Sequence, residues 1–378
     1  PYANPNISMD KAEEQKIILQ LLGEIITSEL LYAEAINAGI DKRSEYRNKS
    51  REYADSLLAD MYKQDLIKKK INIDERVVKS FAKENGLSVE AARAVLHGVK
   101  KKKVISVEVS RLFDEYGVKV SEDFAKKPLG KMKKDSVLAE SKTFRISLGE
   151  LLNGVNTEIK TKKVLLDLLL QYIEVKLLSA EALKTGIPKK KDFVGFLEEY
   201  KKSLAINMQR ENLRKSFKPR PGKVDEYLRA NGHLRYYPQR AEVLMIVTKT
   251  EKEAWRIRKK AVDGANFYQL AIKHSIAPNS RINAGSIGEI HIGGRPYTAV
   301  EKALLKLKPG EISEPVKGLQ GHSIFKLITI SERKARPKKE QMKIAEKDII
   351  DFRLKKHIEN LAKKENVELL GTAKELHF

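Results

Sequence analysis

Leu307-Lys-Pro-Gly-Glu-Ile-Ser-Glu-Pro-Val316 is the most heavily punctuated stretch of the chain. Pro309-Gly310 signals a turn, and Ile312 to Val316 reads as extended. Gly318 to Gly321 then reverses the chain into Gly321-His-Ser-Ile-Phe-Lys-Leu327, an apolar run that continues to Ser331 and reads as a strand. Working back, Ala241-Glu-Val-Leu-Met-Ile-Val247 is short, apolar and rich in β-branched residues, as a buried strand requires. Thr250-Glu-Lys-Glu253 fits a capping box for a helix to about Val262. Asp263-Gly264 turns the chain, and Asn266 can cap a helix from Phe267 to His274 with Phe267, Leu270 and Ala271 inward. Gly285 to Ile292 reads as a turn and strand, and Tyr297 to Leu307 as a helix. The order is β-α-α-β-α-β-β, an α+β sandwich.

Upstream the chain repeats itself. Leu30/Leu177, Leu31/Leu178, Ala33/Ala180, Glu34/Glu181, Ala35/Ala182, Gly39/Gly186 and Ile40/Ile187 share a constant offset of 147 residues. The offset persists without a gap into the next segment, at Tyr53/Tyr200, Ser56/Ser203, Leu57/Leu204, Met61/Met208 and Leu66/Leu213. Constant register across two helices and their turn indicates duplication of one supersecondary unit. Ile18, Leu21, Leu22, Ile25, Ile26, Leu30 and Ala33 recur at helical spacing. Gly39 and Gly186 stand just past the helix, where a left-handed cap is wanted. A second amphipathic helix follows in each copy, over 42–69 and 191–216. Each copy is therefore an αα-hairpin with an apolar face too broad to cover alone. Core packing accounts for most of that face, and a residual groove for an extended client is the functional reading.

Short helices follow at Asp74 to Glu84 and Lys223 to Ala230, each ended by Asn-Gly. Val89 to Tyr116 and Lys339 to Lys364 read as longer helices, with similar endings at Gly117 to Val120 and Asn366 to Leu369. Lys126-Lys127-Pro128-Leu-Gly130 marks a linker. Ser136 to Ile146 reads as a short strand pair, and Ser147-Leu-Gly-Glu150 opens a helix. The expected division is 1–125 as a first helical module, 126–237 as a second with the strand pair, 238–335 as the α+β domain, and 336–378 as a terminal helix packing on the helical modules.

Composition narrows the function classes. The 378 residues carry 74 Lys plus Arg against 51 Asp plus Glu, a net charge of +23. That balance suits acidic partners such as nucleic acid, anionic lipid or acidic polypeptide, and equally suits lysines spread over solvated helix faces. Runs such as Lys100 to Lys103 lie at the ends of periodic segments, where the helix dipole favours them. The absence of cysteine excludes disulfides, thiol catalysis and thiolate-held metals. The seven histidines form no ligand-spaced cluster, so neither metal nor cofactor is expected. No apolar run reaches the ~20 residues of a spanning helix. The chain opens on Pro1, and a signal peptide removed upstream is the expectation.

Phe267-Tyr-Gln-Leu-Ala-Ile-Lys-His-Ser275, Ala284-Gly-Ser-Ile-Gly288, Leu307 to Val316 and Gly321 to Leu327 together resemble the parvulin-type peptidyl-prolyl isomerases in order and spacing. The flanking helices resemble those of SurA-like and PrsA-like extracytoplasmic foldases. The resemblance is closest over 241–333, then over 160–237 and 338–370, and least over 70–150. It implies an α+β fold class: mostly helical chaperone modules, here duplicated αα-hairpins, with one parvulin-like βααβαββ domain.

Prolyl isomerisation breaks no bond, and its barrier of about 18–20 kcal/mol is amide resonance. A catalyst binds the twisted amide better than either planar isomer. The family does so with histidines on the first and last strands, an acid or thiol after the second helix, and a methionine and phenylalanine around the proline ring. The resemblance puts these positions at Val243, Ser323, Ala277, Arg295 or Pro296, and Val300 respectively. His322 precedes Ser323, and strand alternation points it to the opposite face. Leu244, Ile287, Tyr297, Val300 and Phe325 are the candidates for gripping a peptide. Tyr236, Tyr237 and Tyr297 offer either a sticky surface or ordinary packing.

Two functions stay open on these residues: a chaperone or foldase with weak or lost isomerase activity, and an active isomerase relying on a dry apolar cleft. The resemblance implies an extracytoplasmic, periplasmic location and unfolded secreted or envelope polypeptides as clients. Peripheral contact with anionic membrane is compatible with the charge. Nucleic-acid binding is the rival from another class. It lacks any base-reading or stacking motif, and no nucleic-acid partner is expected.

Overall fold

A computed structural model describes residues 11–153, 159, 161–293 and 297–365. The chain is mostly helical and divides into two compact units, one up to Arg210 and one from Glu211.

The first unit opens with the predicted hairpin, α1 (Lys11–Asn37) and α2 (Ser44–Lys70). Gly39 sits at φ 65°, the left-handed cap expected after α1, and its N–H closes on Ile36 O at 2.9 Å. Ile40 is then driven fully inside in a single 3-10 turn. Next come α3 (Glu75–Asn85), capped by Asp74, and α4 (Val89–Glu115), capped by Ser88. Val78, Ala82 and Ala92 join these two helices in a small apolar cluster.

β1 (Lys119–Val120), α5 (Glu122–Lys126), β2 (Val137–Glu140), β3 (Arg145–Ser147) and α6 (Leu148–Leu151) follow. The expected strand pair is β2–β3, and β1 adds a third strand against β2. The Ser147 hydroxyl accepts the Glu150 N–H at 3.1 Å and starts α6. The second hairpin is α7 (Lys162–Leu183) and α8 (Lys191–Ser216), and the boundary between the units falls inside α8. Gly186 departs from the sequence expectation, at φ −77°. Thr185 removes the need for a left-handed residue. Its hydroxyl donates to the Ala182 carbonyl at 2.6 Å and accepts the Ile187 N–H at 3.2 Å.

Around their turns the two hairpins cover each other, while Ile18, Leu21 and Ile25 of α1 stay exposed. One cluster joins Ala35, Ile40 and Tyr46 of the first copy to Leu204, Ala205 and Met208 of the second. Another joins Ala182, Ile187 and Phe193 of the second to Leu57, Leu58 and Met61 of the first. Each of these six residues in one cluster maps onto its counterpart among the six in the other by the 147-residue offset. Reciprocal contacts of this kind define an isologous, pseudo-two-fold interface within one chain. Ile40 and Ile187 are each essentially fully buried, worth roughly 1.5–3 kcal/mol apiece. A larger core on α7 joins Leu165, Leu169 and Ile173 to Leu112 of α4 and to Leu138 and Ile146 of the small sheet.

In the second unit, α9 (Pro221–Ala230) leads through a 3-10 turn to β4 (Gln239–Thr248). Then come α10 (Glu251–Val262), α11 (Phe267–His274), α12 (Pro278–Ile282), β5 (Ser286–Ile292), α13 (Ala299–Leu304), β6 (Val316–Gly318) and β7 (Gly321–Ile330). The predicted βααβαββ order holds, with the one-turn α12 added where Pro278 occupies the first helical position. The sheet runs β5-β4-β7-β6, antiparallel throughout. α14 (Lys338–Lys364) closes the unit. Its Ala345 packs with Val224, Leu228 and Leu234, and Arg353 donates to the Phe217 carbonyl at 2.8 Å. The expected ending Asn366 to Leu369 lies outside the described residues. Among the described residues, no helix is long and apolar enough to cross a membrane.

Candidate peptide-binding face

Unbroken pairing from Val243↔Leu327 to Thr248↔His322 fixes which side chains share a face of the sheet. Leu244, Ile246 and Ile324 lie under α10 and α11 with Ala254, Ile257, Phe267 and Leu270. Val243, Phe325 and Leu327 lie on the other face with Leu304, and half-buried Met245, Ile287, Tyr297, Val300 and Val316 pack around them. Alternation puts Ser323 on this second face too, opposite Val247 and Val316.

Local chemistry explains how the face is held. Thr298 and Glu301 form a reciprocal capping box that starts α13: the Thr298 N–H reaches Glu301 Oε2 at 2.8 Å. The same carboxylate accepts the Gly293 N–H at 3.1 Å, tying the end of β5 to α13. This buried glutamate sets where Tyr297 and Val300 stand. On the far side, segment 275–285 is stitched to β4. Ser275 Oγ accepts the Val247 N–H at 3.2 Å, Ile276 N–H donates to Val247 O at 2.8 Å, and Met245 N–H donates to Gly285 O at 2.7 Å. Ala277 is thereby buried beside the end of β4.

The structure thus brings Ile287, Tyr297, Val300 and Phe325 to one face, together with Val243 and Ser323. Leu244 is set apart. It faces α11 and is 5% exposed, because neighbours on a strand point to opposite sides. His322 shares that helix-covered side by the same alternation, and its Nδ1 is buried without a hydrogen-bond partner among the described residues. Arg295 and Pro296 lie outside the described residues. Met245 was missed in the sequence reading, although its place two residues beyond Val243 is the signal that finds it. The tyrosines are engaged in packing. Tyr236 lies under the Arg333 guanidinium at 3.7 Å, Tyr237 donates to Glu340 at 2.7 Å, and Tyr297 meets the His233 ring edge-on at 6.3 Å. Burial holds His233 below the usual histidine range.

Chemically, Val243, Ala277, Val300 and Ser323 supply neither a titratable group nor an activated nucleophile. The face offers an apolar, partly dry platform with the hydroxyls of Ser323 and Tyr297. Residues 244–329 match the PPIC-type PPIase (rotamase) domain family. A parvulin-like PPIase of Rickettsia felis is 33% identical over 204 residues, covering 53% of this chain and 71% of that protein. The chain belongs to the parvulin-like PPIase family. The parvulin match spans β4 to β7, so the platform is a parvulin face. The foldase protein PrsA of Clostridium kluyveri is 30% identical over 149 residues, 36% of this chain and 44% of that protein. The crystal structure of PrsA from Bacillus anthracis aligns with 51% of this chain and 89% of its own, at 24% identity and a TM-score of 0.31.

Proposed function

We propose that this parvulin-family protein is an extracytoplasmic foldase that holds unfolded secreted or envelope polypeptides and has weak or no isomerase activity. The carrying observation is that Val243 and Ser323 share the parvulin face, at the positions to which the sequence resemblance assigns the family's histidines. An apolar platform grips a proline or aliphatic side chain. Val243, Ala277 and Val300 bring no polar group that would favour the twisted amide over the planar one. Kinship with the foldase PrsA supports the client class and the location. Residues 238–335 serve as the parvulin-like domain, and the helical segments before and after it are the holding modules. Ile287, Tyr297, Val300 and Phe325 are the contacts on the parvulin face.

The test pairs two assays on one preparation: proline-peptide isomerisation and suppression of aggregation of a chemically unfolded client. The reading requires suppression near stoichiometric protein with little isomerase turnover. Vigorous turnover without suppression overturns it and favours the second reading, an active isomerase. That reading draws on the family membership and on the dryness of the face, since desolvation alone weakens amide resonance.

A further inference from the structure

A cleft of about 720 Å³ opens between α2 and α7, within the ~300–1,000 Å³ range of ligand sites. Arg51, Tyr116, Lys142, Phe144, Ser179 and Leu183 line it. The 147-residue offset shows what stands at the equivalent position on the opposite side. Ser179 corresponds to Tyr32, whose half-buried ring packs into the Ala35–Ala205 cluster under the Lys202 ammonium at 5.5 Å. Arg51 corresponds to Glu198, so the charge at that position is inverted between the two sides. The end of α4 and the β2–β3 turn then wall the cleft.

Its charges are unequal in use. Lys176 is paired with Asp55 at 2.8 Å, and Lys184 with Glu181 at 2.8 Å. Among the described residues Lys142 donates to the Glu115 carbonyl oxygen alone, at 2.8 Å, which leaves its charge uncompensated by that bond. The Arg51 guanidinium has no hydrogen-bond or ion-pair partner among the described residues. Tyr116 and Phe144 supply apolar wall, and Leu183 is 59% exposed beside them. A second cleft of about 330 Å³ shares Asp55 and Lys176 with the first and carries Glu52 and Glu150. Its surplus of carboxylates disfavours an anion, whereas in the first cleft Asp55 is paired with Lys176 and Glu115 with Arg111 and Lys184, which leaves the Arg51–Lys142 end to accept one.

We propose that this cleft binds an extended polypeptide segment in which a carboxylate stands beside an apolar or aromatic side chain. Arg51 and Lys142 take the carboxylate, and Tyr116, Phe144 and Leu183 take the apolar neighbour. The inference rests on the foldase reading in supposing that the ligand is unfolded polypeptide, and it names which segments are held.

The experiment titrates the full chain into fluorescein-labelled, C-terminally amidated heptapeptides with a central Phe-Glu-Leu or Phe-Gln-Leu, read by anisotropy at low salt. The Glu peptide should bind about tenfold tighter, as one partly desolvated charge contact provides. Arg51→Glu should bring the two peptides within twofold and leave the Gln peptide unchanged. Lys101→Glu, the same charge change on exposed α4, should leave the preference intact. Ser179→Tyr, which fills the cleft as Tyr32 fills its counterpart, should weaken both peptides at least tenfold with unchanged circular dichroism. A Gln peptide with a free C-terminus that matches the Glu peptide assigns the same cleft to chain ends. The proposal is overturned if Arg51→Glu keeps the tenfold preference, if folded Ser179→Tyr binds normally, or if only a short oligonucleotide binds. If both variants bind normally while aggregation suppression persists, this inference fails and the foldase reading stands. If no unfolded polypeptide binds at all, both fail.

Discussion

The rings of Tyr53 and Tyr200 lie parallel, with centroids 3.8 Å apart and planes inclined by 2°. They are 147 positions apart, the offset that relates the two hairpins, so equivalent residues of the two copies meet each other. Only residues at a pseudo-two-fold axis do so. The stack is therefore a direct probe of the hairpin interface. Alanine at either position should cost about 2–3 kcal/mol, and the double variant should show a coupling of about 1 kcal/mol. Urea unfolding of the four proteins checks this. Additive losses would mean that the rings do not support each other.

A second symmetric pair tests the same interface through charge. Lys176 binds Asp55, and the offset maps this pair onto Glu29 and Lys202, which are also paired but with the charges exchanged. The site thus accommodates either polarity. Asp55→Lys alone should destabilise by about 2 kcal/mol, since it faces two half-buried cations together. Adding Lys176→Asp should restore most of that loss. Thermal melts of the single and double variants decide, and failure of the double to recover would contradict the equivalence.

How much of this was legible in the sequence follows from what each signal encodes. Duplication was readable because register is conserved from Leu30 to Leu66 and from Leu177 to Leu213. The reading left open what covers each hairpin, and the answer, the other copy, lies in three-dimensional reciprocity that no one-dimensional offset displays. The parvulin order was readable from turns and caps such as Thr250 and Asn266. Single side chains were harder. Leu244 and Met245 are both apolar neighbours on one strand, and alternation from Val243, which the pairing of Met245 with Phe325 bears out, tells which one faces the open platform. Gly186 looked like Gly39, but the Thr185 hydroxyl changes the local accounting of hydrogen bonds.

Gly321 has φ 143°, and a Cβ there would lie 2.1 Å from the Thr248 carbonyl oxygen. Backbone must move to admit any side chain. Gly321→Ala should destabilise by about 3 kcal/mol, among the larger single-residue effects, and should disturb the β4–β7 pairing at Thr248 and His322. Hydrogen exchange at those amides, together with a melt, reads both effects. An unperturbed Gly321→Ala protein would refute the tight approach.

Acid should weaken the second unit. Burial lowers the pKa of His233, and burial followed by repulsion from Lys260 lowers that of His274. For each, the unfolded chain takes up its proton near the ordinary histidine value of about 6.5, before the folded chain does. Stability is therefore full above that value and lost as pH falls through it toward the folded pKa. Melting temperature should drop between pH 7.5 and 5.5, and His233→Gln should flatten part of the drop. A profile flat over that range, or one rising toward acid, would contradict the assignment.

The central claim is that a parvulin face carrying Val243 and Ser323 grips polypeptide without catalysing rotation about the prolyl bond. The most direct measurement is cis-to-trans relaxation of a short proline peptide at catalytic concentrations of the full chain. Saturation of peptide binding is followed in parallel. The account predicts saturable binding with relaxation close to the uncatalysed rate. Relaxation that accelerates in proportion to protein, and is abolished by Val300→Asp, would contradict it.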